Sequence, residues 1–481
     1  MQDWLSARAD ATPHKTALLT HTFQQLNQQV SAMSSQWRVK GIQRGDHVGL
    51  IMQSSPFAVV QVFTALRTGA VLVPLNSRLT VDEIHQQLTN ADCKWLLSHG
   101  AGEVLRELHK RGHQIIELDE TTVRTTEKSE CDVDLDAPFL IVHTSGTSGV
   151  PKGATLTAGN IFYSATASAY RLGVLPDDKW LCTLPLYHVG GLSIILRACL
   201  YGITVDLRER FDLETVNHAL AHEGVTLVSL VPTMLYRLLE HGTPEKWSSL
   251  RCVLLGGAAA TADLFERCAA YNIPVATTYG LSEAASQVAT ASPELAARKP
   301  GTVGKPLLFT RVRVVDENDD DQPVGEYGEV VVSGPTVMQE YYNHADATAK
   351  TLRDGWLHTG DIGYLDEDGD LWLVQRRSDL IVTGGENVYP AEVEAVLRSH
   401  PAVKDVAVVG VSDPEWGQQV AAAVQRIDDT ALTEEDLIAY SRERLAGYKH
   451  PRRILFVAAL PQTGSGKIQR RAVVDLFGDD V

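Results

Sequence analysis

The sequence predicts an α/β protein: a large N-terminal domain of layered β/α sheets, then a small α+β C-terminal domain. Three observations carry this. From His47 to about Gly280, short apolar runs alternate with amphipathic stretches of helical period, the pattern of β/α layers. After Gly301 the texture changes to short strands and acidic glycine turns, and from about Ser378 strands and helices mix again. At 481 residues the chain is also too long for one compact core. The expected boundary puts residues 1–376 in the first domain and 377–481 in the second.

In chain order, the strands expected in the first part are Val48–Met52, Ala70–Pro74, Trp95–Ser98, Leu140–His143, Val205–Leu207, Leu227–Val231, Cys252–Leu255 and Val275–Thr278. Between several of them lie helical stretches, Val81–Ala91, Leu213–Glu223 and Ala262–Tyr271, and in such layers ligands bind at loops after strand ends. Two successive β/α sheets of related build are compatible with this order. Later strands are Arg311–Val315, Glu329–Ser333 and Leu371–Val374. The acidic run Asp316–Asp321 reads as a solvated hairpin tip, and Asp366-Glu367-Asp368-Gly369-Asp370 as a hairpin turn. The last part holds strands Val406–Val411 and Ala421–Gln425 and helices Ala391–His400 and Glu434–Leu445. Its junction near Arg376-Arg377-Ser378 has no Gly/Ser linker, so a short hinge is expected there.

Composition excludes several classes. Apolar residues make up 44% and charged residues 21%, as in ordinary globular proteins, and the net charge of −17 opposes binding to nucleic acid or an anionic membrane. The longest apolar stretch, Phe57 to Leu75, is broken by Gln61, Arg67 and Gly69, so it reads as helix, turn and strand without membrane insertion. Six cysteines without a C-x-x-C pair indicate neither disulfides nor zinc and fit a reducing cytoplasm. The N-terminus lacks a signal pattern. Oligomeric state stays open, with a homo-oligomer possible.

The stretch with most chemistry is Thr144 to Gly153, TSGTSGVPKG, following the apolar run Phe139–His143. Glycines let backbone N–H groups converge, hydroxyls add donors, and Lys152 adds a positive charge, the parts of a phosphate cradle. No Walker string fits it. The order of residues resembles the signature loop of the adenylate-forming superfamily: acyl-CoA synthetases, luciferases and peptide-synthetase adenylation domains. Ser148 and Val150 depart from that family's usual residues. The resemblance implies a distorted small barrel within the first domain and a mobile second domain. It also implies that Thr144, Ser145, Gly146, Thr147, Ser148, Gly149 and Lys152 hold ATP phosphates.

Four further strings extend the resemblance in family order. Thr278-Tyr279-Gly280-Leu281-Ser282-Glu283 resembles Y-G-x-T-E, with Ser282 for Thr. It implies Tyr279 against adenine, Thr278 and Gly280 beside the nucleotide, Ser282 at the α-phosphate and Glu283 on Mg²⁺, a cation that prefers carboxylate and phosphate oxygens. Leu254 to Ala259 ends a strand on Gly256, Gly257 and Ala258, where the family meets adenine and acid. Trp356 to Asp361 resembles W-x-x-T-G-D, with Asp361 on the ribose and Arg376 joining it; Gln375 replaces the usual glycine, and Ser378 stands at the hinge. Gly384-Gly385-Glu386 opens the loop that lines the CoA channel in the family. Pro461 to Lys467 resembles P-x-T-x-x-G-K, which makes Lys467 the catalytic lysine.

The implied reaction joins a carboxylic acid to CoA using MgATP, through an acyl-adenylate. The acyl pocket would be built around Leu184 to His188, with His188 catalytic and substrate-contacting, Gly256 and Leu281 as further contacts, and the following helix carrying Arg197. A cation in that apolar helix is costly unless it meets an anion. Two readings stand: an ion pair with a protein carboxylate, or a second carboxylate on the substrate. LPLYHVGGLS with Arg197, SLVPTML, VLLGGAA and RSDLIVTGGENVYPAEVE are similar to the o-succinylbenzoate–CoA ligase branch, whose substrate has two carboxylates. Benzoate, coumarate or medium-chain acids are the alternative substrates. A catalytically silent nucleotide-binding relative, a luciferase and a carrier-protein-loading domain are the alternative activities.

Overall fold

A computed structural model describes residues 1–98, 102–116, 118, 132–145, 151–258, 260–375, 380–427, 432–461 and 468–478. The described chain divides into two compact units. One comprises Met1–Ser77, Leu88–His143 and Gly153–Val374; the other comprises Arg78–Gln87, Thr144–Lys152 and Gln375–Val481.

The first unit holds the expected pair of β/α sheets. One runs, in spatial order, Glu340–Tyr341, Pro151–Thr157, Pro138–Ser145, Val71–Asn76, His47–Met52, Trp95–Ser98 and Gln114–Ile116. The other runs Lys305–Pro306, Ser286–Thr290, Val275–Leu281, Cys252–Leu255, Leu227–Leu230, Lys179–Cys182, Thr204–Leu207, Thr16–Leu18 and His21–Thr22. Their central strands are parallel, for example His47↔Val71 and Cys252↔Leu227, so the crossovers are helices and both faces are covered. One apolar core contains residues from both sheets and from helices Phe23–Val39 and Pro56–Thr68, among them Trp37, Phe63, Leu72, Leu140 and Trp180. A second core, with Leu181, Val228 and Val253, covers the other face of the larger sheet.

The polar breaks in the long apolar stretch each have a structural cause. Gln61 accepts from the Trp37 indole at 3.1 Å, and Arg67 pairs with Asp3 at 2.8 Å, both side chains buried. Gly69 ends helix Pro56–Thr68 at φ 74, a left-handed cap that a β-carbon disfavours. Among the described residues no helix is long and apolar enough to cross a membrane. The described cysteines are free thiols.

The third sheet is antiparallel and forms the half-barrel: Arg311–Val315, Gly328–Ser333, Trp356–Leu365 and Leu352–Arg353, with Leu371–Gln375 added to Trp356–Leu365. The sequence reading missed that Trp356–Leu365 is one long strand, because Thr359-Gly360 looks like a break. Several strands of the two larger sheets were also missed, among them Pro151–Thr157, Lys179–Cys182 and Ser286–Thr290, as were Arg453–Val457 and the short helix Arg470–Asp475 in the second unit. Both acidic turns are where expected. The Asp316 carboxylate accepts from the Asn318 and Asp320 backbones, and the Asp366 carboxylate from Asp368 and Asp370.

In the second unit an antiparallel sheet runs Glu386–Val388, Ile381–Thr383, Gly417–Arg426 and Val403–Asp413, and Arg453–Val457 adds parallel to Gly417–Arg426. Period-two alternation sends Val406, Val408, Val420, Ala422 and Val424 to one core, while Ala407, Val409, Val411, Ala421 and Ala423 enter another. Helix Pro390–Arg398 contributes Val393 and Leu397 to the first core; Arg470–Asp475 contributes Val473 to the second.

Candidate active site

Strand Val275–Leu281 runs into a three-residue 3₁₀ turn, Ser282–Ala284, and returns as Ser286–Thr290. The pairing slips between Tyr279 and Gly280, and a β-carbon on Gly280 would lie 1.8 Å from the Ser286 carbonyl oxygen. Only glycine fits that bulge, so the turn presents Tyr279, Ser282 and Glu283 in fixed order. Tyr279 is 2% exposed, and its hydroxyl donates to Asp361 Oδ2 at 2.5 Å. Asp361 is itself oriented by its backbone N–H on Thr359 Oγ1 at 3.1 Å, and Thr359 by its hydroxyl on the Val330 carbonyl. Two strings distant in sequence therefore meet through one hydrogen bond. Thr278 turns its hydroxyl to Thr290 and Ala289, a role in holding the hairpin. The glycine at 256 answers to packing: a β-carbon there would meet Thr278 Cγ2 at 2.7 Å.

Glu283 is gripped twice by one segment. Its carbonyl accepts from the Met338 backbone at 2.8 Å, and its Oε1 from the Tyr341 hydroxyl at 2.7 Å.

Helix Val189–Tyr201 starts at His188, whose ring meets Tyr187 edge-on at 4.7 Å. Arg197, on this helix, is 2% exposed. Its Nη2 donates to Ser164 Oγ at 3.3 Å, Ser164 donates to the Ala285 carbonyl at 2.7 Å, and Nε is buried without a partner. Among the described residues no carboxylate lies within ion-pair distance of this guanidinium. Burial pushes its pKa down, with Tyr201 opposing. A desolvated cation is thus held beside the turn that carries Glu283, with no carboxylate against it among the described residues.

In the second unit, Thr144 Oγ1 reaches the Lys152 carbonyl at 3.5 Å. Gly384 and Gly385 have φ 57 and 86 and close the hairpin Ile381–Thr383/Glu386–Val388, the two positive angles of a type I′ turn. Glu386 is buried and accepts from Arg78 at 3.1 Å. Lys449, 3% exposed, lies 2.7 Å from Glu83 and 2.7 Å from Glu392, whose second oxygen is buried without a partner.

Residues 5–342 match the AMP-binding enzyme family, and residues 392–467 match the AMP-binding enzyme C-terminal domain. This chain belongs to the AMP-binding enzyme family. A 2-succinylbenzoate–CoA ligase of Bacillus cereus is 39% identical over 99% of this chain and 98% of its own length. Among solved structures, a double mutant of the o-succinylbenzoate CoA synthetase of Bacillus subtilis bound with the product analogue OSB-NCoA matches with TM-score 0.93. Its identity is 37%, covering 99% of this chain and 98% of that one. The same synthetase in complex with ATP and magnesium ion matches with TM-score 0.76, at 37% identity over 99% of this chain and 100% of that one.

Within this family member, the structure brings Tyr279 and Asp361 together and sets Glu283 two residues from the carbonyl tied to Arg197 through Ser164. Gly257 and Ala258 follow strand Cys252–Leu255 as expected, while Ser282 and Leu281 are half-buried at the turn. Gly146, Thr147, Ser148, Gly149, Arg376, Ser378 and Lys467 lie outside the described residues. Sequence reasoning missed Ser164, Tyr341 and Lys449, since a serine, tyrosine or lysine in an ordinary helix, strand or turn carries no motif. It also missed His143, next to Thr144, whose ring nitrogens are both buried without partners. Burial, with His344 adding to it, pushes that ring's pKa down to about 4.

Two places offer carboxylates to a magnesium ion. Asp366, Asp368 and Asp370 cluster as cation ligands would, but Lys299 Nζ lies 2.7, 2.6 and 2.8 Å from them, so an ammonium supplies that charge. Glu283 is a hard carboxylate on a fixed turn, and it suits a cation that completes its shell with phosphate oxygens and water.

Proposed function

We propose that this protein is an ATP-dependent acid–CoA ligase that converts 2-succinylbenzoate, ATP and CoA into 2-succinylbenzoyl-CoA, AMP and pyrophosphate. The observation that carries the substrate is Arg197, a buried cation on the helix that follows the acyl segment, with no carboxylate against it among the described residues. A diacid supplies the missing anion with the carboxylate that is not activated. The names of the relatives support the same choice.

In the first half-reaction a carboxylate oxygen of the acid attacks the α-phosphorus of ATP and the bond to the β-phosphate oxygen breaks. Pyrophosphate leaves, and Thr144 to Lys152 cradle it. Tyr279 and Asp361, already joined, form one wall for adenosine, with Arg376 completing the ribose site. Glu283 would hold Mg²⁺, which would neutralise phosphate charge when bound. Lys467 bridges the acid carboxylate and the α-phosphate, where like charges must meet. In the second half-reaction the CoA thiol attacks the acyl carbon, gives up its proton, and AMP departs. Residues 377–481 form the domain that delivers Lys467 to the first step and Gly384 to Glu386 to the second, with Ser378 at the hinge. Buried free thiols fit a cytoplasmic setting.

The test is a turnover panel with ATP, CoA and either o-succinylbenzoate, benzoate, coumarate or octanoate. The diacid is expected to have the highest kcat/KM. A higher value for any monoacid overturns the substrate assignment but leaves the ligase class intact; no AMP formation with any acid overturns the class.

A further inference from the structure

Glu283 sits in a 3₁₀ turn of only three residues, followed by Ala285 and Ser286 at φ 51 and 97, left-handed angles unusual for side-chain-bearing residues. So short a turn does not by itself hold a carboxylate in one rotamer. What holds it comes from the segment 335–342. That segment is itself docked firmly: Asn160 Nδ2 donates to the Pro335 and Val337 carbonyls at 2.8 and 3.0 Å, and Gln339 and Tyr342 donate their N–H groups to Thr155 and Gly153. Glu340 and Tyr341 pair antiparallel with Thr155 and Ala154, on the strand that leaves the phosphate-loop sequence. From this rail the Met338 N–H takes the Glu283 carbonyl and the Tyr341 hydroxyl takes its carboxylate, at 2.8 and 2.7 Å. Tyr341 is 4% exposed, so its ring is fixed by packing.

We infer that Tyr341 is a positioning residue for the metal step: its phenol orients the Glu283 carboxylate toward the magnesium of MgATP. It does so from the short strand Glu340–Tyr341, whose register against Thr155 and Ala154 is fixed. This rests on the reading of Glu283 as the metal ligand. The chemistry is that of an outer partner to a ligating carboxylate: a phenol O–H occupies one lone pair of the oxygen, fixes the plane of the carboxylate, and leaves ligand capacity on the group. Loss of such a partner typically weakens metal affinity about 10- to 100-fold.

The experiment measures Mn²⁺ binding by electron paramagnetic resonance, with the non-cleavable nucleotide α,β-methylene-ATP, on the full chain and on three variants. Tyr341→Phe, which keeps the buried ring, is expected to weaken Mn²⁺ binding about 10-fold and to raise the Mg²⁺ concentration for half-maximal turnover by a similar factor. Saturating Mg²⁺ should restore kcat. Thr348→Val disturbs the backbone of the same residue, since Tyr341 N–H donates to Thr348 Oγ1 at 3.0 Å, but leaves the phenol in place; its Mn²⁺ affinity should stay within about twofold. Glu283→Gln separates the two readings. If it leaves Mn²⁺ binding intact, Glu283 is not the ligand and the underlying reading falls. If it weakens binding while Tyr341→Phe does not, or if Thr348→Val weakens it as much as Tyr341→Phe, the role of the phenol is overturned.

Discussion

Arg197→Met distinguishes the two roles of a buried cation by the sign of a stability change. In the native protein the guanidinium makes one described hydrogen bond, to Ser164 at 3.3 Å, beyond the usual range for N–H···O, and its Nε has no partner. Deleting that bond costs at most about 1 kcal/mol. Deleting the desolvated charge removes a penalty of several kcal/mol per ion. Methionine fills most of the volume, so the ligand-free variant should melt at the same temperature or higher. A structural ion pair predicts the opposite, a loss of about 3–5 kcal/mol from the orphaned carboxylate. Catalysis should change the other way. Losing charge-assisted bonds worth about 1.5–3 kcal/mol lowers kcat/KM for o-succinylbenzoate roughly 10- to 150-fold and leaves benzoate nearly untouched. Thermal melts without ligand and continuous pyrophosphate release with both acids read the two effects. A lowered melting temperature together with an unchanged ratio of the two acids refutes the reasoning.

Three other outcomes are expected, the first from the family resemblance and the other two from geometry. Lys467→Ala should slow adenylation roughly 100-fold or more, on the scale of one lost preorganised donor, while thioester formation from supplied acyl-adenylate survives; equal loss in both half-reactions, read by rapid quench, contradicts that division. Lys449→Met strands Glu83 and Glu392 and should cost about 3–5 kcal/mol in the unfolding of the second unit. Burial already holds the Glu392 carboxyl above its ordinary value, Lys449 opposing, so this variant's deficit should widen as pH rises above about 4 and shrink below it, as denaturation midpoints at pH 4, 6 and 8 would show. Lys299→Met should lower the melting temperature at neutral pH. Despite partial burial, bonds from Lys299, Trp372 and the Asp370 backbone bring Asp366 down to about 2, a contribution present above the ordinary carboxylate range and lost as pH falls toward 2. The difference between variant and parent should therefore close on acidification.

Much of the architecture was legible because its causes are local. Alternation of apolar and helical runs is written residue by residue, so Cys252–Leu255 and Leu227–Leu230, buried along their whole length, were found, while Lys179–Cys182 and Ser286–Thr290, which open on a half-buried residue, were not. Polar positions inside a structural element were harder. Gln61 and Arg67 look like interruptions until Trp37 and Asp3 are brought to them by the fold. The strand Trp356–Leu365 was hidden by Gly360, whose own N–H donates to Glu329 while the neighbouring Thr359 hydroxyl donates to the Val330 carbonyl across the sheet.

The sequence by itself determined the class of chemistry through resemblance: the glycine-rich loop from Thr144, the carboxylate after Tyr279-Gly280 and the lysine near the C-terminus stand in the order of a known family, where each alone would read as an ordinary turn. Only the tertiary structure decided which groups act together. The Tyr279 hydroxyl on Asp361, the Tyr341 phenol on Glu283, and the absence of a described carboxylate beside Arg197 are all matters of distance between residues far apart in the chain. The physical reason is range. Propensity and turn chemistry act over a few neighbours, whereas desolvation and hydrogen bonding depend on what the fold packs against a side chain, and for Arg197 that difference separates a structural ion pair from a substrate contact.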